Sequence, residues 1–234
     1  MPGSVEIPVA AEQKSGLPVF LIRFFTFTAL VLLVVCLYLA TRPVPPTGKP
    51  DARFFPIDPV TLATLPLATR FDFPMGSVHG ALTYNAQLFT ENRHLGDDLN
   101  GIGGGNTDLG DPLYAMANGR VLYAGWPSHG WGHVVLVQQA WLENGQRNTV
   151  QTLYSHLDEL EVASGDILRR GQRIGTVGNA RGRYLAHLHL EMRTFITPFI
   201  GAGYRESTSG WLDPNSFIQT HRGAPAWDLR AEPD

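Results

Sequence analysis

The chain has 234 residues, of which 44% are hydrophobic and 17% charged, with a formal net charge of -3. That is enough apolar material for one good-sized domain, and it offers no basic field that would draw the chain to nucleic acid. The single cysteine, Cys36, excludes an intramolecular disulfide framework and a cysteine-rich zinc site, so any zinc here must be held by histidine and carboxylate.

Residues 1–16 read as an N-terminal tail. Phe24 to Ala40 carry no charge, and the apolar character reaches back to Leu17 with only Arg23 interrupting, so residues 17–42 are expected to form a transmembrane anchor. The uncharged stretch alone rises roughly 26 Å against a ~30 Å hydrocarbon core, so a full span requires the preceding residues and an Arg23 that snorkels to the interface. Cleavage as a signal peptide is disfavoured, because Tyr38 would stand where a site after Ala40 needs a small residue. Val35 before Cys36 is likewise unlike the small residue that precedes a lipidated cysteine. Lys14 and Arg23 on one side balance Arg42 and Lys49 on the other, so charge leaves the orientation open.

Residues 43–50 contain Pro43, Pro45, Pro46 and Pro50 and are expected to be a semi-rigid linker. Residues 51–70 have no helical periodicity and read as an irregular lead-in, residues 71–220 as the folded domain, and residues 221–234 as a C-terminal tail. From about Asn100, glycines at short intervals separate runs of β-branched and aromatic residues, the pattern of short strands and tight turns. Leu113 to Ala117, Arg120 to Ala124, His133 to Gln138 and Thr149 to His156 are the strongest strand candidates, and nothing beyond the anchor reads as a long amphipathic helix. Gly110-Asp111-Pro112-Leu113 and Gly165-Asp166-Ile167-Leu168 echo each other, which suggests a duplicated β motif.

Chemistry concentrates in two runs, His94-Leu95-Gly96-Asp97-Asp98 and His187-Leu188-His189-Leu190-Glu191. Side chains alternate along an extended strand, so His187, His189 and Glu191 share one face. If the two runs meet in space, they supply the mixed nitrogen and oxygen ligands that zinc takes, with His187 and His189 equal candidates at this point.

Together with Gly103-Gly104-Gly105-Asn106-Thr107-Asp108-Leu109-Gly110-Asp111-Pro112, Tyr154-Ser155-His156-Leu157 and the hairpin Gly171-Gln172-Arg173-Ile174-Gly175, these runs resemble the lysostaphin and LytM type of zinc metallopeptidases. Proteins of that family cut peptide bonds in bacterial cell-wall peptidoglycan. The resemblance covers roughly Phe71 to Arg193, and several separate motifs recur in the family's order. It implies an all-β fold, a duplicated-hybrid-motif-like antiparallel β-sheet domain with a catalytic groove, here preceded by the N-terminal helix. It also implies His94, Asp98 and His189 as ligands of Zn2+, with His156 and His187 acting on the substrate as catalytic residues. Three protein ligands leave one position of a zinc ion open for water, whose pKa the ion lowers towards ~7. Which of His156 and His187 is the general base stays open.

The function implied is a membrane-anchored, zinc-dependent endopeptidase that hydrolyses peptide bonds in peptidoglycan, with its domain outside the cytoplasmic membrane. The alternative is a non-catalytic wall-binding or regulatory module that recruits or activates other cell-wall hydrolases. Asp97, Asp108 and Glu191 are expected to support turns or orient ligands, Tyr154 to pack, and His79, His129, His133 and His221 to be structural or exposed. Leu185-Ala186 stands where the family often has Gly-Pro, and Arg181, Arg183 and Tyr184 in the loop before it are candidates to contact a peptide carboxylate or a glycan, with solvated turn residues as the competing reading. An amide near the Gly-rich loop, that of Asn106, is a candidate for blocking the metal in a latent form.

Overall fold

The computed structural model of the protein describes residues 18–41 and 58–223. The expected N-terminal tail, the proline-rich linker, the first part of the lead-in and most of the C-terminal tail lie outside the described residues. The chain divides into two compact units, Met1–Lys49 and Pro50–Asp234.

Among the described residues of the first unit, helix α1 runs Val19–Thr41. Its described large apolar side chains are exposed. The Thr26 and Thr28 hydroxyls donate to the carbonyls of Arg23 and Phe24 at 3.0 and 2.8 Å, so each is satisfied within its own helix. The transmembrane reading of 17–42 is corrected to this extent: among the described residues no helix is long and apolar enough to cross a membrane. The charge-free stretch Phe24 to Ala40 rises only about 26 Å against a ~30 Å hydrocarbon core.

The second unit is built on one large, mostly antiparallel sheet. Its strands are β1 (Leu67–Ala68), β2 (Thr83–Gln87), β3 (Asp97–Gly101), β5 (Gly119–Ser128), β6 (Gly132–Glu143), β7 (Gln146–Leu157), β8 (Ile167–Leu168), β10 (Leu188–Arg193) and β11 (Trp211–Leu212). The spatial order is β2-β3-β10-β7-β6-β5-β8, with β1 on β6 and β11 on β10. A separate two-stranded sheet joins β4 (Pro112–Tyr114) to β9 (Arg173–Thr176). All four expected strands have counterparts in β4 to β7, and β5 to β7 are longer than the sequence runs suggested. Asn144-Gly145 joins β6 to β7 with φ of 51° and 73°, the left-handed pair that an Asn-Gly hairpin turn supplies. The two echoing segments fall in different sheets, one in β4 and the other in β8.

Residues 58–70 are more regular than an irregular lead-in. Asp58 accepts from Thr61 N at 2.8 Å and Pro59 occupies the first turn, so a short helix α2 forms over Pro59–Thr64 before β1 pairs in parallel with β6. Near the C-terminus Asp213 caps α3 (Pro214–His221) through Ser216 N, and the helix buries Phe217 and Ile218 against the main core.

The core explains why β10 is apolar on alternate residues. Leu188, Leu190 and Met192 pack with Val135, Val137, Val150 and Tyr154, while His189, Glu191 and Arg193 project from the opposite face. That opposite face carries the site.

Candidate metal centre and active site

Strand register puts the metal-binding candidates side by side. His189 on β10 lies opposite Asp98 on β3 and opposite Ser155 on β7. His94 follows a short 3-10 turn, Glu91–Arg93, and is held by an isolated antiparallel bridge to Tyr204, so its ring reaches the same point from before β3. His94 Nε2 and His189 Nδ1 are 2.8 Å apart, and Asp98 Oδ1 is 2.9 Å from His189 Nδ1 and 3.2 Å from His94 Nε2. Two imidazole nitrogens and a carboxylate oxygen converging at these separations form a donor set that suits zinc, and the three residues are a group able to hold a metal ion.

The electrostatics follow from burial and pairing. Burial by itself would raise the Asp98 carboxyl, but hydrogen bonds from His189 and His94 outweigh it and hold the group well below the usual carboxylate range. Burial would lower His189, yet the carboxylates of Asp98 and Glu191 on its two ring nitrogens push it up to about 9. Asp98 and Glu191 thus favour positive charge on His189.

His156 reaches the site against strand alternation. Alternation places it on the side of Tyr154, whose ring is in the core. A left-handed backbone at His156, φ 65°, turns the ring to face His187 and His189, with centroids 4.7 and 5.8 Å away. Gly178 makes room for that turn: a Cβ there would lie 2.3 Å from the His156 carbonyl oxygen. Nδ1 of His156 bonds Trp131 O at 3.1 Å and Nδ1 of His187 bonds Leu185 O at 2.8 Å, so in each neutral ring Nδ1 carries the proton and Nε2 keeps its lone pair. Nε2 of His187 lies 3.8 Å from Asp98 Oδ1. Burial, followed by the neighbouring His189 and His187, lowers His156 to about 3.

Asp98, His156, His187 and His189 share the floor of a cleft of about 400 Å³, whose walls include Trp131, Tyr184, Gln87 and Tyr204. Trp131 and Tyr204 were not singled out in the sequence. Tyr204 packs over His94 with ring centroids 5.1 Å apart and donates to Gln87 Oε1 at 3.0 Å. It sits in a glycine-containing loop far along the chain from the other site residues, where no motif marks it.

Supporting residues are placed as follows. Asp97 accepts from Phe89 N and Asn215 N, and burial raises its carboxyl. Asp108 accepts from Gly101 N, and the buried Tyr154 hydroxyl accepts from Met116 N. His133 and His221 bond the carbonyls of Asp158 and Phe217 through Nδ1, while His79 and His129 are exposed. Asn106 corrects the latency expectation: its Oδ1 accepts from Ala186 N at 2.8 Å and so braces the loop ahead of His187.

The fold and site define a β domain with a histidine–aspartate–histidine cluster able to hold a metal ion beside an open cleft. The family model described as Peptidase family M23 matches residues 100–200, a span that takes in His156, His187 and His189 and begins just after His94 and Asp98. Lipoprotein NlpD of Yersinia enterocolitica is 32% identical over 84 residues, covering 36% of this chain and 78% of that protein. Lysostaphin of Staphylococcus simulans is 31% identical over 119 residues, covering 51% of this chain but only 19% of the relative. In a solved structure of that lysostaphin, 64% of this chain aligns with 53% of the other at 23% identity and a TM-score of 0.42. The chain belongs to peptidase family M23.

Proposed function

We propose that the chain is a zinc-dependent endopeptidase acting on the peptides of bacterial peptidoglycan, in the cell envelope outside the cytoplasm. The observation that carries this reading is the approach of His94 Nε2, Asp98 Oδ1 and His189 Nδ1 to within 2.8 to 3.2 Å of one another, beside two further histidines with free Nε2 atoms. His94, Asp98 and His189 would hold the ion, which when bound supplies a Lewis acid and an acidified water. The remaining chemistry belongs to the chain. His156 and His187, with Nδ1 tied to backbone carbonyls, present Nε2 to accept a proton from the attacking water and to return one to the leaving amine. Trp131 and Tyr184 wall the cleft and orient the peptide across it.

The envelope location draws on the names of relatives, among them a lipoprotein and the cell division protein DipM of Caulobacter vibrioides. Helix α1, with exposed apolar side chains and Arg23 as its one charge, attaches the chain to the membrane. Sedimentation of the full chain with membranes and its release by detergent, but not by high salt, checks that attachment.

The deciding experiment is mass spectrometry of muropeptides from murein sacculi before and after incubation with the zinc-loaded protein, with a chelator control. New peptide termini that vanish with the chelator are expected. Protein that binds zinc and releases no termini would leave the recruiting, non-catalytic module as the better reading.

A further inference from the structure

The loop that supplies Tyr184 to the cleft wall also carries two cations, Arg181 and Arg183, that the chemistry above does not use. The loop 179–185 packs against the β5–β6 hairpin, where a Cβ on Gly132 would lie 3.3 Å from Ala180 Cα. Its shape is fixed by Asn179, whose Oδ1 accepts from Gly182 N at 2.8 Å and whose carbonyl accepts from Tyr184 N at 3.1 Å. Ala180, Arg181 and Gly182 in sequence have φ of 50°, 59° and 81°. A chain of L-residues avoids that conformation, so the loop is held in one arrangement.

That arrangement presents Arg181 and Arg183 to solvent, and neither has a carboxylate partner among the described residues. Both guanidiniums are nevertheless positioned by aromatic rings. Arg181 lies over Trp126 at 4.3 Å, and Arg183 donates through Nε to the Tyr184 hydroxyl at 3.0 Å. Tyr184 in turn stands 4.9 Å from the His156 ring and 5.9 Å from His187, so Arg183 is one side chain away from the candidate proton-handling groups. Each guanidinium keeps free N–H donors of the planar kind that pair with a carboxylate. On a chain of net charge -3, two preset cations with no carboxylate partner among the described residues, next to the cleft residue Tyr184, point to an anionic ligand.

We propose that Arg181 and Arg183 form a carboxylate-reading rim beside the cleft, selecting peptides that bear a free carboxylate near the scissile bond over the same peptides with that carboxylate neutralised. The inference rests on the peptidase reading above. Arg181 and Arg183 are specificity residues in this scheme: they bind the substrate away from the reacting atoms, so their effect falls on KM.

The test compares two synthetic peptides of one sequence, one with free carboxylates and one with each carboxylate converted to an amide, presented to the full zinc-loaded chain. Wild type is expected to favour the free-acid peptide by roughly tenfold or more in kcat/KM, through KM. In Arg181→Ala/Arg183→Ala the preference should fall to about twofold or less, and in Arg181→Glu/Arg183→Glu it should invert. Equal cleavage of both peptides by wild type, or an undiminished preference in the variants, overturns the proposal. A second arm separates this failure from failure of the peptidase reading: equilibrium binding of the same two peptides to His156→Ala. If wild type cuts neither peptide, a binding preference for the acid that vanishes when Arg181 and Arg183 are also replaced still supports the rim. Equal binding, or none at millimolar peptide, rejects it.

Discussion

Glu191 Oε1 lies 3.1 Å from Nε2 of His189, two residues back on β10, and so fixes which nitrogen of His189 faces Asp98. Its other oxygen accepts from Arg193 Nε at 2.8 Å, Arg193 Nη2 at 2.6 Å and Trp211 Nε1 at 2.7 Å. Burial would raise the Glu191 carboxyl, but the Arg193 charge outweighs it and keeps the group ionised. A carboxylate behind a ligating imidazole sets its tautomer and raises its basicity. Glu191→Gln keeps the shape and removes the charge, and zinc affinity measured by chelator competition is expected to drop about 10- to 100-fold. Unchanged affinity would mean that His189 does not ligate through Nδ1.

The five histidine and aspartate side chains should separate into two groups when replaced singly. His94→Ala, Asp98→Asn and His189→Ala should lose zinc, read as metal per chain after gel filtration. His156→Ala and His187→Ala should retain a full equivalent while kcat falls by roughly 10²- to 10⁴-fold, the size of a lost general acid–base contribution. Zinc loss from the His156 or His187 variant would move that residue into the ligand set.

How much of this was legible in the sequence depends on which rule placed each residue. Alternation along an extended strand put His187, His189 and Glu191 on one side, and the strand register that brings Asp98 opposite His189 realises the meeting of two runs the sequence could only make conditional. His156 was recognisable by motif, but its aim depends on one left-handed residue that breaks alternation, and no local pattern announces that. Tyr204 and Trp131 come from loops whose positions are tertiary facts. The lead-in was misjudged because Asp58 and Pro59 start a helix too short to show periodicity. Asn106 drew attention as a polar side chain near a glycine-rich loop, and only the backbone amide of Ala186 reveals what its oxygen bonds.

Stability of the chelator-treated protein should depend on pH through His156. Burial holds its folded pKa at about 3, below the ~6.5 of an unfolded chain. The unfolded state therefore takes up a proton first, and stability falls as pH drops from 6.5 towards 3, by at most about 1.4 kcal/mol per pH unit for one group. Asp98 and Glu191 are held low and lose their contributions only at more acid pH. His189, raised to about 9, acts with the opposite sign: its contribution is complete below about 6.5 and is lost as pH rises through 9. Melting temperatures between pH 4.5 and 6.5 should slope upward for wild type and flatten for His156→Gln. An equal slope in both would assign the effect elsewhere.

Gly178→Ala tests whether the turned backbone at His156 matters for chemistry. The added Cβ would fall 2.3 Å from the His156 carbonyl oxygen and 2.4 Å from Asp158 N, both backbone atoms that cannot swing aside. The end of β7 must shift, and overpacking of this kind costs about 1 to 3 kcal/mol. The clash is with the β7 terminus rather than with His94, Asp98 or His189, so zinc content should be preserved while kcat falls as His156, and His187 whose N–H bonds the Gly178 carbonyl, move off their aim. Gly145→Ala is the matching control, because its φ of 73° is equally left-handed but no atom lies within 4 Å of the added carbon. It should cost stability without changing turnover. If Gly178→Ala also keeps wild-type turnover, the orientation of His156 is not what the β7 terminus protects.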